Sequence, residues 1–237
     1  KDKKKNRFLH GGKFIPVGKR EPNYYQRRLS EIKPLSESYQ SNKLNILIEG
    51  TTLRSTEAQT WLKTIEIVHN LQLSDINISD TEIKKLVMID CQVVGINFIN
   101  SEIEQFILIR TDISNAKFSN ARLNHVIMSD VVARNINFSN ALLNDSWLEG
   151  DFSECQFTNA TLQRTILKGE FQSVKFDYAD MENSWLREVD IKKSSFIEAN
   201  IKGMINDLVA PGVHSVTMPD GSLHEPISND FYKFSKR

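Results

Sequence analysis

The pentapeptide INFSN, Ile136 to Asn140, decides the fold because close variants of it recur along the chain. INFIN occupies Ile96 to Asn100, 40 residues earlier, and INISD occupies Ile76 to Asp80, a further 20 residues earlier. A phrase that returns at multiples of twenty residues indicates a repeat architecture, and the period has to be found before secondary structure is assigned.

From Leu71 onward the chain divides into groups of five residues, each with an apolar residue at its centre. Neither a helix period nor a strand period produces this spacing, whereas a short extended piece followed by a turn does, with two side chains pointing inward. Only Ala133 among the centres is small, and none is polar. The other inward position, two residues before the centre, is small or apolar and is plainest at Ala116, Ala121, Ala141, Ala160, Ala179 and Ala199. The 27 centres are Leu73, Ile78, Ile83, Met88, Val93, Phe98, Ile103, Leu108, Ile113, Phe118, Leu123, Met128, Ala133, Phe138, Leu143, Leu148, Phe152, Phe157, Leu162, Leu167, Phe171, Phe176, Met181, Leu186, Ile191, Phe196 and Ile201.

Four groups of five make one square coil of twenty residues, so every fourth centre lies on the same face of the coil. The second-face ladder is Ile78, Phe98, Phe118, Phe138, Phe157, Phe176 and Phe196. The third-face ladder is wholly aliphatic, with Ile83, Ile103, Leu123, Leu143, Leu162, Met181 and Ile201. The spacing falls to four between Leu148 and Phe152 and again between Leu167 and Phe171. Both shortenings fall at the corner between the fourth and first faces, which supports this register.

The groups AKFSN, ARLNH, CQFTN, ATLQR, ADMEN and ANIKG resemble the repeat of the pentapeptide repeat proteins. That repeat is a small residue, then Asp or Asn, then Leu or Phe, then two mostly polar positions. The resemblance covers Leu71 to about Ile205 and implies an all-β fold, a right-handed quadrilateral β-helix of about seven coils with capping segments at both ends. The chain departs from the family by using Ile at several positions normally held by Ala, as at Ile76, Ile96 and Ile136.

A solenoid needs caps, because both of its ends expose backbone edges. Lys43 to Gly50 is predicted to form a strand, and Ser55 to Asn70 to be helical at first and then to merge into the first coil. At the other end, Pro219-Asp220-Gly221 predicts a hairpin turn between Val213–Met218 and Ser222–Glu225. The predicted divisions are 1–40, a basic non-repeat tail or adapter; 41–70, the N-terminal cap; 71–206, the pentapeptide repeat β-helix; and 207–237, the C-terminal hairpin cap and tail.

The charge is distributed unevenly although the formal net charge is zero. Residues 1–28 hold ten Lys or Arg and two acidic residues, a net of 10 − 2 = +8, so the remainder carries −8. This basic leader is interpreted as a solvated tail, with a weak patch for nucleic acid or an anionic membrane as the alternative. The chain starts with Lys1, so we expect a fragment or a processed chain, while the hairpin and polar end predict that it finishes at its C-terminus. No apolar run reaches the length of a transmembrane segment.

The residue types that carry chemistry do not cluster in the sequence. The five His have no metal-ligand spacing, and Cys91 and Cys155 occupy small inward positions, which favours buried structural thiols over nucleophiles. The HGG at His10 to Gly12 lacks the flanking strand and helix of a phosphate-binding loop. We therefore predict no catalytic residue, no cofactor and no metal, and a chain that is not an enzyme.

The residue just before each centre should point outward, and on the fourth face it is apolar throughout. An apolar exterior with two Trp predicts a protein-binding strip. The alternative is that the chain's own flanks cover it, either the strand near Ile46 or the tail near Phe231 and Phe234; a homodimer is a further alternative. The strip, hereafter the fourth-face strip, is Val87, Ile107, Ile127, Trp147, Ile166 and Trp185. The first-face equivalents are polar or acidic with one exception: Gln72, Gln92, Asp112, Val132, Asp151, Glu170 and Asp190.

The favoured function is a non-enzymatic protein-interaction scaffold with an unidentified protein partner. Its layout is similar to bacterial virulence effectors of the family. The sequence does not name the compartment, and the two options are the bacterial cytoplasm and secretion into a host cell. One alternative is a DNA mimic that protects gyrase, as the quinolone-resistance members do. Residues 71–206 contain 19 acidic and 13 basic residues, 13 − 19 = −6, a diluted acidity that ranks this second, and nucleic acid itself is not an expected partner. Another alternative is a repeat module of a larger effector.

Overall fold

The computed structural model describes residues 7–10, 13–16, 62, 67–123, 125–207 and 213–224. The chain divides into two compact units, Lys1–Asn42 and Lys43–Arg237. In the first unit, β1 (Arg7–His10) and β2 (Lys13–Pro16) pair antiparallel, with His10 opposite Lys13. The sequence pattern assigns these residues to a tail, so this hairpin was not predicted.

The second unit is built almost entirely from short strands. They pair in parallel with the strand one coil away, except in the C-terminal hairpin, whose two strands pair antiparallel. This confirms the predicted all-β solenoid, in which only Leu62 among the described residues has helical backbone. The strands are β3 (Ile67–His69), β4 (Gln72–Ser74), β5 (Glu82–Ile83), β6 (Leu86–Ile89), β7 (Gln92–Val94), β8 (Glu102–Ile103), β9 (Phe106–Ile109), β10 (Ile127–Val132), β11 (Trp147–Asp151), β12 (Ile166–Gln172), β13 (Trp185–Lys192), β14 (Ile205–Asp207), β15 (Val213–His214), β16 (Val216–Thr217) and β17 (Leu223–His224).

The fourth face forms the most continuous sheet, in the order β14-β13-β12-β11-β10-β9-β6-β3. Met88 pairs with Leu108 at an offset of 20 residues, and Leu148 pairs with Leu167 at an offset of 19, where a corner is one residue shorter. The predicted register is therefore correct. The 27 centres make six complete coils and three sides of a seventh (27 − 24 = 3), slightly fewer than the seven coils expected.

The core is filled by the two inward side chains of each group of five. In INFSN, Ile136 is 1% exposed and Phe138 is fully buried. Phe138 stacks on Phe118 with ring centroids 5.0 Å apart and on Phe157 at 4.8 Å, which is the separation of neighbouring strands. The five Phe–Phe steps from Phe98 to Phe196 are all nearly parallel stacks, so the predicted ladder is present.

At most corners the residue two positions after the centre has a left-handed backbone. Asn140 has φ +60°, and the Ala141 N–H donates to the Phe138 carbonyl at 3.0 Å to close the turn. Asn and Asp tolerate a positive φ better than other non-glycine residues. The Asn just before the centre supports the turn through its side chain, because Asn137 Oδ1 accepts a hydrogen bond from the Ser139 N–H at 2.9 Å. The two Asn of INFSN are thus both turn residues.

The two shortened corners are occupied by stacked glycines. Gly150 has φ +151° and pairs with Gly169, which has φ +105°. A Cβ on Gly150 would lie 2.1 Å from the Val131 carbonyl oxygen, and one on Gly169 would lie 2.3 Å from the Gly150 carbonyl oxygen. Only glycine lets the backbones approach this closely, so the four-residue corner and the glycine are required together.

The C-terminal hairpin is present where the sequence predicted it. β16 and β17 pair antiparallel, with Thr217 opposite Leu223, and the Met218 N–H donates to the Ser222 carbonyl at 2.8 Å. Thr217 also pairs in parallel with Ser195 of the preceding coil, and Met218 is fully buried beyond Phe196. At the other end, Leu62 is fully buried in the same core. The predicted strand at 43–50 and the residues around Phe231 and Phe234 lie outside the described residues.

Candidate functional site

The fourth-face strip is a single column on the outside of the fourth-face sheet. Each member pairs with the next, from Val87 with Ile107 through to Ile166 with Trp185. Because strand residues alternate between faces, the centres beside them point inward; Leu148 and Leu186 are fully buried. The strip therefore lies on the opposite side of the sheet from these centres.

The strip is not an open surface over most of its length. Val87, Ile107, Ile127, Trp147 and Ile166 are buried, with exposures of 3%, 5%, 3%, 1% and 9%, whereas Trp185 is only partly buried. These five side chains are therefore not accessible to solvent. The protein-binding role of the strip stays a prediction, and only Trp185 offers it an accessible member.

A polar network accompanies Trp147 on the same exterior. The Trp147 indole Nε1–H donates to Glu149 Oε2 at 3.0 Å, and Lys168 Nζ lies 2.8 Å from Glu149 Oε1. Ser129 Oγ donates to the same carboxylate at 3.2 Å. The hydrogen bond to Glu149, with the attraction of that carboxylate, holds the pKa of Lys168 above its usual value. The partly buried Glu149 therefore has a partner for each of its oxygens.

The equivalent positions on the last complete coil differ. Arg187 takes the place that Glu149 holds beside Trp147, and its guanidinium carbon lies 5.4 Å from the centroid of the Trp185 ring. The Trp185 Nε1 and Arg187 Nη1 atoms are buried without a hydrogen-bond partner. Arg187 Nε lies 3.7 Å from Glu188 Oε1, too far for a hydrogen bond.

A polar groove of about 560 Å³ lies at the corner between the fourth and first faces of the early coils. Arg110 bridges its centre and donates to both carboxylate oxygens of Asp90 at 2.6 and 2.7 Å. These hydrogen bonds lower the pKa of Asp90 and raise that of Arg110. His69 Nε2 reaches the same carboxylate at 3.0 Å. This cluster was not predicted from the sequence, although Asp90, Arg110 and Asp130 are equivalent positions at twenty-residue spacing.

The two cysteines lie inside the solenoid. Cys91 and Cys155 are free and buried, and burial raises their thiol pKa values to about 11 and about 12. Their Sγ atoms lie 3.2 Å from the Ile89 carbonyl and 2.8 Å from the Ala133 carbonyl. Within the described residues, no group of three or more His, Cys, Asp or Glu is arranged to hold a metal ion, and no helix is long and apolar enough to cross a membrane.

The family comparison agrees with the coil geometry. Residues 91–130 match the family model "Pentapeptide repeats" in 8 copies. The match identifies this part of the chain as pentapeptide repeats, in agreement with its five-residue turns and twenty-residue coil. A search of curated protein sequences gave no match.

Two solved structures are similar in fold. A trypsin-treated variant of QnrB1, a plasmid-mediated fluoroquinolone resistance protein, is 19% identical with a TM-score of 0.38; the match covers 60% of this chain and 82% of that one. HetL, a pentapeptide repeat protein involved in the regulation of heterocyst differentiation in the cyanobacterium Nostoc sp. strain PCC 7120, is 15% identical with a TM-score of 0.32. That match covers 74% of this chain and 100% of HetL. We assign no function from these likenesses.

Proposed function

We propose that the chain is a non-enzymatic protein-interaction scaffold that engages a protein partner at the C-terminal end of the fourth-face strip. The observation that carries this proposal is the contrast within the strip: five members are buried and Trp185 is partly exposed. Trp and Arg are both among the residue types enriched at binding hot spots, and Arg187 lies beside Trp185. Pairing with Ile166 on one side and Ile205 on the other holds the Trp185 backbone in place, which lowers the entropy lost on binding.

Affinity capture with paired variants tests the scaffold. Trp185→Glu should remove a partner that the unchanged protein captures from a bacterial or host-cell lysate, while the melting temperature stays within about 2–4 °C. Tyr178→Glu is the matched control, because Tyr178 is an exposed aromatic, 57% exposed, on a different face. Recovery of the same partners with Trp185→Glu would overturn the proposal.

Trp147→Glu distinguishes the covered part of the strip from its accessible end. A carboxylate forced into the buried Trp147 position, next to Glu149, should destabilise the fold by at least about 3 kcal/mol. If this variant instead kept its stability and lost the partner, the binding surface would include the middle of the strip.

We further propose that the scaffold is a bacterial virulence effector and that its partner is a host protein. The support is the layout alone, a basic non-repeat region followed by the solenoid. Fusion to a reporter enzyme that is active only in host cytosol tests delivery. No signal from infected cells would remove the effector role and leave the scaffold untouched.

A DNA mimic that protects gyrase is the second candidate, and acidic side chains stacked on the first face favour it. Asp151 and Glu170 pair on neighbouring strands, and Glu170 pairs with Asp190. The charge is partly neutralised, since Asp151 lies 2.7 Å from Arg134. A gyrase supercoiling assay with a fluoroquinolone decides: absence of any effect at micromolar protein removes this candidate.

A further inference from the structure

At the accessible end of the fourth-face strip, Trp185 and Arg187 each have a buried hydrogen-bond donor without an acceptor. Trp185 and Arg187 lie two residues apart on β13 and therefore on the same outer side of the sheet. The indole Nε1–H and one guanidinium nitrogen, Nη1, are both shielded from solvent and both unpartnered. Such groups are rare in folded proteins, because an unsatisfied buried donor loses its bond to water and gains nothing in return.

The chain itself shows what satisfies an indole at this position. Trp147 is the structural equivalent of Trp185 two coils earlier, and the residue two positions on is Glu149. The Glu149 carboxylate accepts from the Trp147 Nε1–H at 3.0 Å and from Lys168 at 2.8 Å. In the last coil the sequence replaces that carboxylate with Arg187, so a second donor stands where the acceptor was.

We propose that Trp185 and Arg187 form a docking site for a carboxylate, an Asp or Glu side chain of a partner protein. One carboxylate oxygen accepts from the indole N–H and the other from the guanidinium, which reproduces with a partner the arrangement that Glu149 makes internally. Charge-assisted hydrogen bonds of this kind are the strong ones, and the planar guanidinium of Arg matches the geometry of a carboxylate. This inference rests on the proposed scaffold function and names the chemistry of its partner.

The charges around the site define the approach. Arg187 has 17% of its side chain exposed, so the carboxylate reaches the two donors as the guanidinium turns outward. Glu188, half exposed, opposes the incoming charge and is partly balanced by Lys168 Nζ at 3.5 Å. Because Lys168 already pairs with Glu149, the charge that attracts the partner's carboxylate is that of Arg187.

Nuclear magnetic resonance of the indole N–H groups in the ¹⁵N-labelled full chain tests the site. The probe is an acetylated and amidated tri-glutamate peptide, and the matched tri-glutamine peptide is the control. The Trp185 indole proton, assigned by its loss in Trp185→Phe, should shift downfield and saturate with tri-glutamate only. The Trp147 indole proton should not move, because Glu149 already holds it. A Trp185 signal that stays fixed, or that responds equally to tri-glutamine, would overturn the proposal.

Two variants sharpen the test. Arg187→Glu places a carboxylate beside Trp185, in the position that Glu149 holds beside Trp147. The Trp185 signal should therefore shift downfield in the free protein and become insensitive to the peptide. Arg187→Gln keeps the size but not the charge and should weaken binding about tenfold. An undiminished response in Arg187→Glu would show that the peptide binds elsewhere. The unchanged protein could bind the peptide while Trp185→Glu still captures every partner. That result would keep the carboxylate site and remove the scaffold role proposed for Trp185.

Discussion

At the scale of single residues, the position two after each centre decides how well the chain turns. Asn120, Asn140 and Asn159 hold φ values near +60° in successive coils, a conformation that Asn accepts readily. Tyr178 follows them in the same column with φ +60°, although Tyr has no side-chain acceptor or donor short enough to help its own backbone. The sequence shows this signal as a column of Asn that ends at Asn159 and continues with Tyr178 and Glu198, and the strain at Tyr178 follows from it.

Tyr178→Asn should therefore stabilise the protein. The strain at a left-handed Tyr is on the order of 1 kcal/mol, so we expect a gain of about 0.5–1 kcal/mol in the free energy of unfolding by urea. Lys175→Asn is the control, because Lys175 is exposed on the same coil but is not among the residues with positive φ. Equal effects of the two changes would show that conformation is not the cause.

The two thiols predict a pH effect with a definite sign. Because burial raises the pKa of Cys91 to about 11, the folded state keeps the proton that the unfolded state releases near pH 8.5. Stability from this group is complete below about pH 8.5 and is lost as the pH rises toward about 11. Cys91→Ala and Cys155→Ala together should flatten this decline in denaturant titrations. A thiol reagent at pH 8 should label the native protein only as fast as it opens; labelling within seconds would contradict burial.

At the scale of elements, the shortened corner shows what the sequence does and does not reveal. The drop in spacing from five to four located both corners correctly. It could not reveal that the Gly150 backbone lies against the Val131 carbonyl, because that distance depends on the neighbouring coil and not on the local pattern. The pairing of β10 with β11 slips by one residue between Met128 and Val131 to absorb the missing residue.

Gly150→Ala is expected to be among the most damaging single-methyl changes in the chain. Its Cβ would lie 2.1 Å from backbone oxygen, so β10 and β11 must separate, at a cost of about 3 kcal/mol or more. Gly221→Ala is the matched control: φ is +81° there, but nothing lies within 4 Å, and the cost should be about 1 kcal/mol. Thermal unfolding of both variants measures the difference, and equal losses would mean that conformation and not crowding dominates at Gly150.

The candidate site was less predictable than the solenoid. Inward and outward directions follow from a local period, so the strip and its column were found from residues such as Trp147. Whether an outward side chain is covered depends on segments distant in sequence, and no local pattern contains that information. The β1–β2 hairpin was missed for a different reason. Its signal is the Gly11-Gly12 pair between two apolar stretches, which is typical of a hairpin turn. This pair was considered only as a phosphate-binding loop and was rejected as one.

At the scale of the whole solenoid, each coil rests on two neighbours except at the ends. The core is one continuous cluster that runs from Leu62 to Met218. Every coil contributes an apolar layer and a set of parallel hydrogen bonds to the next, so stability is close to a sum of coil and interface contributions. A cavity in a central coil therefore weakens two interfaces, and one at the end weakens one.

Phe138→Ala and Met218→Ala test this difference. Phe138 has a ring stacked on each side, so its truncation should cost about 3–5 kcal/mol and lower the midpoint of the unfolding transition. Met218 ends the ladder, and its truncation should cost about 2 kcal/mol and mainly speed hydrogen exchange in β16 and β17. A uniform increase in exchange along the solenoid in Met218→Ala would show that the coils do not behave as separable layers.

The reversal of direction at β17 has a consequence for self-association. A stack of parallel strands with unpaired edges is a template on which further identical strands can grow, as in amyloid fibres. On the second face, the strand beyond Thr217 is the antiparallel β17, only two residues long. An incoming parallel strand meets the wrong hydrogen-bond pattern and too short an edge, so the hairpin of β16 and β17 blocks fibre growth from this face.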